Sequence, residues 1–256
     1  MNKILIFAFI ITISLSCTKY TQIYETKPNS IAIKDEKFYN FENDTVKITY
    51  SFWQEKGVLS YTFFNKLNIP LYIDWKKCSF IRNGEKLDFW IDETTTNSVS
   101  NSRGTSNLFF GDYNLLAANV GRTSTKGKSV KPERVIFLAP RSSITRVQFQ
   151  LYPFAVSKIN GNKSQMKIAG SKKTIESKYE DFNLGNSPLV FRNFMSISSS
   201  EKFEREMYID NGFYVSKISQ IKRKYFIGQT VHKSKAEEEA YNSQFINPKM
   251  FFITVK

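Results

Sequence analysis

Two thiols, one imidazole and a few spaced hydroxyl, amine and carboxylate groups are the reactive inventory of this chain of 256 residues. A zinc or iron site needs several thiolate or imidazole ligands brought together, and a triad-type catalyst needs a base beside its nucleophile. His232 stands alone in the polar run Thr230-Val231-His232-Lys233-Ser234 and reads as a solvated surface residue. Ser-x-x-Lys occurs at Ser164 to Lys167 and at Ser219 to Lys222, a spacing that on a helix lets lysine activate the hydroxyl. Neither copy lies in a helical pattern or has companion motifs, so both read as coincidences of a Ser- and Lys-rich chain. Glycoside hydrolysis needs two facing carboxylates. Glu204, Glu206 and Asp210 cluster in sequence, as do Glu237, Glu238 and Glu239, and they keep such a pair open as a rival reading. There is no Gly-rich phosphate loop, dinucleotide fingerprint or EF-hand spacing. No catalytic residue, metal ligand or cofactor is therefore assigned. Trp53, Trp75 and Trp90 have the rings to stack on sugars, but each sits among apolar strand neighbours and reads as core.

The thiols differ in context. Cys78 lies in the strand-like run Cys78-Ser79-Phe80-Ile81 and reads as buried packing, although Lys76 and Lys77 beside it are placed to lower a thiol pKa. Cys17 closes a different pattern: Lys3, an apolar run from Ile4 to Ile13, then Ser14-Leu15-Ser16. Charge, short apolar stretch and small residues in that order are an export signal, with a core too short to span a bilayer. A cysteine at its exit resembles the lipobox of bacterial lipoproteins, with Ser14 where that family usually has Leu and Ser16 as the family has it. The resemblance implies that residues 1–16 are a signal peptide and that Cys17 is acylated and becomes the new first residue. It also implies anchoring in the cell envelope, at the outer membrane. No acidic cluster follows Cys17, which favours the periplasmic face. Ser14 and Ser16 also satisfy a small-x-small cleavage rule, so ordinary secretion is the alternative. With Cys17 acylated, Cys78 has no disulfide partner.

Charge is uneven. The formal net charge is +14, and residues 113–175 hold twelve Lys and Arg against one acid, Glu133. Such a stretch draws anionic partners. The expected anion-binding side chains are Arg122, Lys126, Lys128, Lys131, Arg134, Lys172 and Lys173, all in polar, basic loop-like sequence.

The elements that must position these groups read as β. Aromatics make up 15% of the chain, with 23 Phe and 13 Tyr, and these are strand formers. Val46, Ile48, Tyr50 and Phe52 alternate with polar residues, as do Leu59, Tyr61 and Phe63, with a Glu55-Lys56-Gly57 turn between. Asn83-Gly84 marks a second hairpin. The spacing predicts an antiparallel β-sandwich, immunoglobulin-like over residues 30–151, after a polar tether over 17–29. Residues 152–256 read as a β-rich region that completes the same domain or packs on it. Short helices are expected at 201–207 and 235–245, near the C-terminus, each after a capping serine. Loops are expected at 92–107 and 119–134.

The runs Pro70-Leu71-Tyr72-Ile73-Asp74-Trp75-Lys76-Lys77, Leu138-Ala139-Pro140-Arg141-Ser142 and Ser187-Pro188-Leu189-Val190-Phe191-Arg192-Asn193-Phe194 look like an uncharacterised Bacteroidetes lipoprotein family. That resemblance carries no activity. The expected function is a membrane-anchored, non-enzymatic binding or assembly module, attached through acyl chains and offering a basic surface to an anionic envelope partner. Nucleic acid is not an expected partner of a protein outside the cytoplasm. The rivals are an envelope polysaccharide or peptidoglycan hydrolase using a carboxylate pair, and a structural part of a larger envelope complex.

Overall fold

A computed structural model describes residues 19–29, 37–90, 133–168, 174–233, 236–241 and 243–255. The chain opens with β1 (Tyr20–Pro28), followed by β2 (Tyr39–Glu42), β3 (Val46–Ser51) and β4 (Val58–Asn65). Next come β5 (Leu71–Asp74), a 3-10 turn at Trp75–Lys77, β6 (Ser79–Arg82) and β7 (Glu85–Asp88). The middle of the chain gives β8 (Val135–Leu138), β9 (Ser143–Gln150), β10 (Asn162–Lys167) and β11 (Thr174–Asp181). β12 (Val190–Ser198) and the long β13 (Glu206–Lys222) follow, then a one-turn helix α1 (Arg223–Phe226). β14 (Ile227–Lys233), β15 (Ala236–Tyr241), a second 3-10 turn at Ser243–Phe245 and β16 (Met250–Val255) close the chain.

The architecture is mainly β, with antiparallel sheets packed face to face as a sandwich. The smaller sheet has the order β2-β3-β4-β9. Its centre is the expected hairpin, in which Val46 faces Asn65 and Ser51 faces Ser60. The turn is made by Lys56 and Gly57, both left-handed at φ 64° and 68°. A Cβ on Gly57 would stand 2.9 Å from Phe251 Cγ, so the second position must be glycine for space as well as φ. Asn83 and Gly84, at φ 48° and 86°, likewise close β6 onto β7 in the geometry that suits a right-twisted two-residue hairpin.

The larger sheet of ten strands is organised by β13. One edge of β13 pairs with β12 along Glu206 to Tyr214 and with β11 along Lys217 to Gln220. Its other edge pairs with β1, from Pro28 opposite Phe213 to Tyr20 opposite Lys222. β1 in turn pairs with β16. Residues 20–28, expected as a polar tether, are therefore an interior strand. Their polarity hid this: Thr21, Gln22 and Thr26 are buried, and Gln22 meets Val156 through both its amide nitrogen and its carbonyl oxygen. The strands of residues 152–256 also pair with β5 and β6, so the two halves build one sheet.

Both expected helices are corrected. Residues 201–205 form the turn into β13, and Ala236–Tyr241 is a strand paired with β14, Thr230 facing Glu239. Helix propensity is a weak preference that tertiary packing overrides. Tyr241 docks its ring 4.9 Å from Phe252 and 5.2 Å from Phe226, which fixes this segment in the second apolar cluster. The short helical segments near the C-terminus are α1 and the turn at Ser243–Phe245 instead.

Between the sheets Phe52, Phe191 and Phe213 meet edge-on or stacked at 5.1 to 5.4 Å. Burying each such ring contributes roughly 1.5–3 kcal/mol. Tyr50 crosses this core, and its hydroxyl accepts from the side-chain amides of Asn193 at 3.1 Å and Asn211 at 2.9 Å. Tyr50→Phe strands both buried amides and is expected to destabilise by about 2 kcal/mol. A lower urea midpoint at unchanged slope checks this.

Candidate functional site

The structure separates the groups that sequence proximity had brought together. Ser164 and Lys167 lie on β10, Ser219 and Lys222 on β13, and residues three apart on a strand point to opposite faces. Neither serine meets its lysine. Glu206 and Asp210 share one face of β13, but four residues of strand set them about 13 Å apart, beyond the carboxylate separation that glycosidases use. Glu237 and Glu239 alternate with Glu238 along β15, and His232 faces Glu237 across the β14–β15 ladder.

Of the expected anion-binding residues, Arg134 alone lies in the described part. Its guanidinium donates from Nε to Asp74 Oδ1 at 2.9 Å and from Nη2 to Oδ2 at 2.7 Å. Asp74 is 2% exposed and also caps the following turn by accepting from Lys76 N. Arg134, expected as an anion-binding residue, thus neutralises a buried carboxylate. Cys17, Arg122, Lys126, Lys128, Lys131, Lys172 and Lys173 lie outside the described residues, as does the expected signal segment at 1–16.

Cys78 is buried, as expected, and burial pushes its thiol up to about 12. The lysines beside it point elsewhere: Lys77 pairs with Glu206, and Lys76 lies 5.9 Å from the Trp90 ring centre. Trp75 is 1% exposed beneath Arg146, whose guanidinium stands 4.1 Å from its ring, while Trp53 and Trp90 pack at the borders of the apolar clusters.

The most distinctive surface is the outer face of the larger sheet. Cross-strand partners share a face, so the register defines it row by row. One row runs Glu206, Ser198, Tyr72, Phe137 across β13, β12, β5 and β8. The next carries Tyr208 and Ser196, and the third Asp210 and Phe194. Tyr208 and Phe137 are 61% and 60% exposed, with Phe154 the other exposed Tyr or Phe among the described residues. Phe194 stacks on Tyr208 at 5.6 Å, and Tyr72 meets Phe137 edge-on at 5.7 Å. The alternation that buries Phe191, Asn193 and Met195 leaves Arg192 and Phe194 outward. An aromatic at a polar-phase position was therefore the sequence signal, and sequence reasoning missed it.

Charges frame these rings. Glu206 accepts from Lys77 Nζ and from Ser196 Oγ on one oxygen, and from the Tyr208 hydroxyl at 2.7 Å on the other. These hydrogen bonds, Lys77 first, lower its carboxyl from the ordinary 4.5 to about 2. The Tyr208 hydroxyl is raised by the same contact. Arg192 pairs with Asp210. A carboxylate held ionised and hydrogen-bonded as Glu206 is makes a poor general acid; the arrangement suits ring stacking with polar contacts around it. No family model, curated protein or solved structure matches the chain.

Because its folded pKa is depressed, Glu206 stabilises the fold above pH 4.5 and loses that contribution as pH falls toward about 2. The stability gap between the protein and Glu206→Gln is expected to close over that window in denaturation curves at stepped pH. Arg134→Gln removes the cation paired with the buried Asp74 carboxylate and is expected to lower stability near neutral pH. Thermal or urea unfolding reads this directly.

Proposed function

We propose that the protein is a cell-envelope lipoprotein, held on the outer membrane by acyl chains on Cys17, that acts as a non-enzymatic binding module for an anionic envelope glycan. The observation that carries the binding reading is the open sheet face bearing Tyr208, Phe194, Tyr72 and Phe137. Sugar rings present flat C–H faces that stack on exposed aromatics, while their hydroxyls meet the surrounding carboxylate and guanidinium groups. The basic residues Arg122, Lys126, Lys128, Lys131, Lys172 and Lys173 would add long-range attraction for negative charge, screened by salt. Binding is favoured over hydrolysis because Glu206 and Asp210 are each paired with a cation and lie about 13 Å apart along one strand.

Two measurements test this. Intact mass of the full-length protein from membranes is expected to show acyl chains at Cys17, and Cys17→Ser is expected to leave the membrane fraction. Affinity electrophoresis in polygalacturonate against neutral dextran reads binding. Retardation in the acidic polymer is expected to fall about threefold to tenfold in Tyr208→Ala and in Phe137→Ala. Retardation equal to the parent in both variants overturns the aromatic face as the site.

A further inference from the structure

We propose that the end of the larger sheet where β1 begins is a docking surface for anionic phospholipid headgroups, which lays the anchored protein on its membrane in one orientation. This rests on the acyl anchor at Cys17 and adds to it a contact made by the folded part.

The geometry of the chain's entry comes first. Tyr20 is locked on both edges, opposite Lys222 on β13 and opposite Val255 on β16. The carbonyl of Lys19 accepts from the backbone N–H of Arg223 at 2.9 Å. Cys17 is only three residues before Tyr20, so even fully extended chain holds them within about 10 Å. An acylated Cys17 therefore pulls this end of the sandwich into the headgroup layer.

The chemistry of that end matches what it would meet. Lys19, Lys222 and Lys224 are exposed, and Arg223 sits between them, partly buried. Lys167, exposed at the end of β10, is carried to the same end, because β10 pairs with β11 and β11 with the last third of β13. Tyr225, half-buried beneath the Lys224 ammonium at 5.0 Å, supplies an aromatic of the kind that sits at membrane interfaces. The carboxylate set one step back on β11, Glu176, is paired with Lys163 at 3.0 Å. Glu55 lies further in, bridged to Phe252. The β14–β15 hairpin, an acidic element, leaves from α1 carrying Glu237, Glu238 and Glu239. At the opposite end of β13, the turn at 199–205 holds Glu201 and Glu204 against Lys202 and Arg205, a neutral balance.

An acyl chain joined to a basic patch is the two-part arrangement that gives firm, oriented membrane attachment. It also places the aromatic face. Tyr208 is fourteen residues along β13 from Lys222, up to about 45 Å at the usual rise per residue. One strand thus carries the membrane end and the open face at opposite extremes.

The test uses the full lipidated protein reconstituted on vesicles of phosphatidylethanolamine alone or mixed with phosphatidylglycerol. Amine-reactive labelling is read by mass spectrometry at Lys19, Lys222 and Lys224, with Lys202 as the distal control. Anionic vesicles are expected to protect the first three about threefold against neutral ones, with Lys202 unchanged. High salt, which shortens the screening length to about 3 Å, is expected to restore labelling. Lys167 is expected to be protected likewise in the parent, and in the triple variant Lys19→Gln, Lys222→Gln, Lys224→Gln that protection is expected to vanish while flotation with vesicles persists. Equal labelling on both vesicle types, with the protein floating on each, overturns the docking surface and leaves the anchor standing. Flotation on anionic vesicles alone refutes the anchor and supports the surface; flotation on neither refutes both.

Discussion

The structure depends on one strand being gripped from both sides. β1 donates and accepts along its full length to β13 and, over its first six residues, to β16. An interior strand leaves no backbone polar group for water to satisfy, so each must be met by a neighbouring strand. The ladder meets the backbone, and side-chain contacts meet the polar residues it buries. Gln22 is the example: its carbonyl takes the Tyr24 hydroxyl at 2.6 Å and the Val156 N–H at 3.0 Å, tying the strand to the segment after β9. Without β1, β13 would have a bare edge along its C-terminal half and β16 would have no place in the sheet.

Around that strand, aromatic burial supplies the cohesion that no disulfide provides among the described residues. Tyr24 stacks on Phe251 at 4.7 Å, and the Phe52, Phe191 and Phe213 group continues the layer between the sheets. Several of these rings have their polar tips met, whereas the Tyr61 hydroxyl and Trp75 Nε1 are buried with no partner. Tyr50 meets two asparagine amides and Tyr39 donates to the Thr26 carbonyl, and in both cases burial raises the phenol well above its ordinary pKa. The result is a core that is polar at chosen points and chemically quiet.

Much of the fold could be read from residue order. Period-two runs announced β3 and β4, and Asn83-Gly84 announced the β6–β7 hairpin, because local sterics and one-sided burial determine them. What escaped was set by tertiary context. β1 reads as polar because its buried residues are satisfied by partners far along the chain, and no local rule sees those partners. The stretch around Glu237 to Glu239 has helical composition but is held as a strand where Tyr241 enters an aromatic cluster. The candidate face was half visible. Glu206 and Asp210 stood out as carboxylates, yet their meaning came only with the register that set Tyr208 between them and Lys77 and Arg192 against them. Arg134 stood out as a cation, and only the burial of Asp74 showed where its charge was spent.

The way β1 is paired also fixes when the molecule can finish folding. Tyr20 faces Lys222 and Val255, so the middle of the larger sheet joins the first described strand to the last. Contacts at such separation carry a heavy loop-closure cost before any reward and make for slow assembly. A growing chain has no partner for β1 until β13 has been made, and its second edge stays open until β16 follows. Until then, an edge-bearing strand and its aromatic neighbours stay open to wrong associations, and a chaperone that shields them fits the order in which this topology is completed.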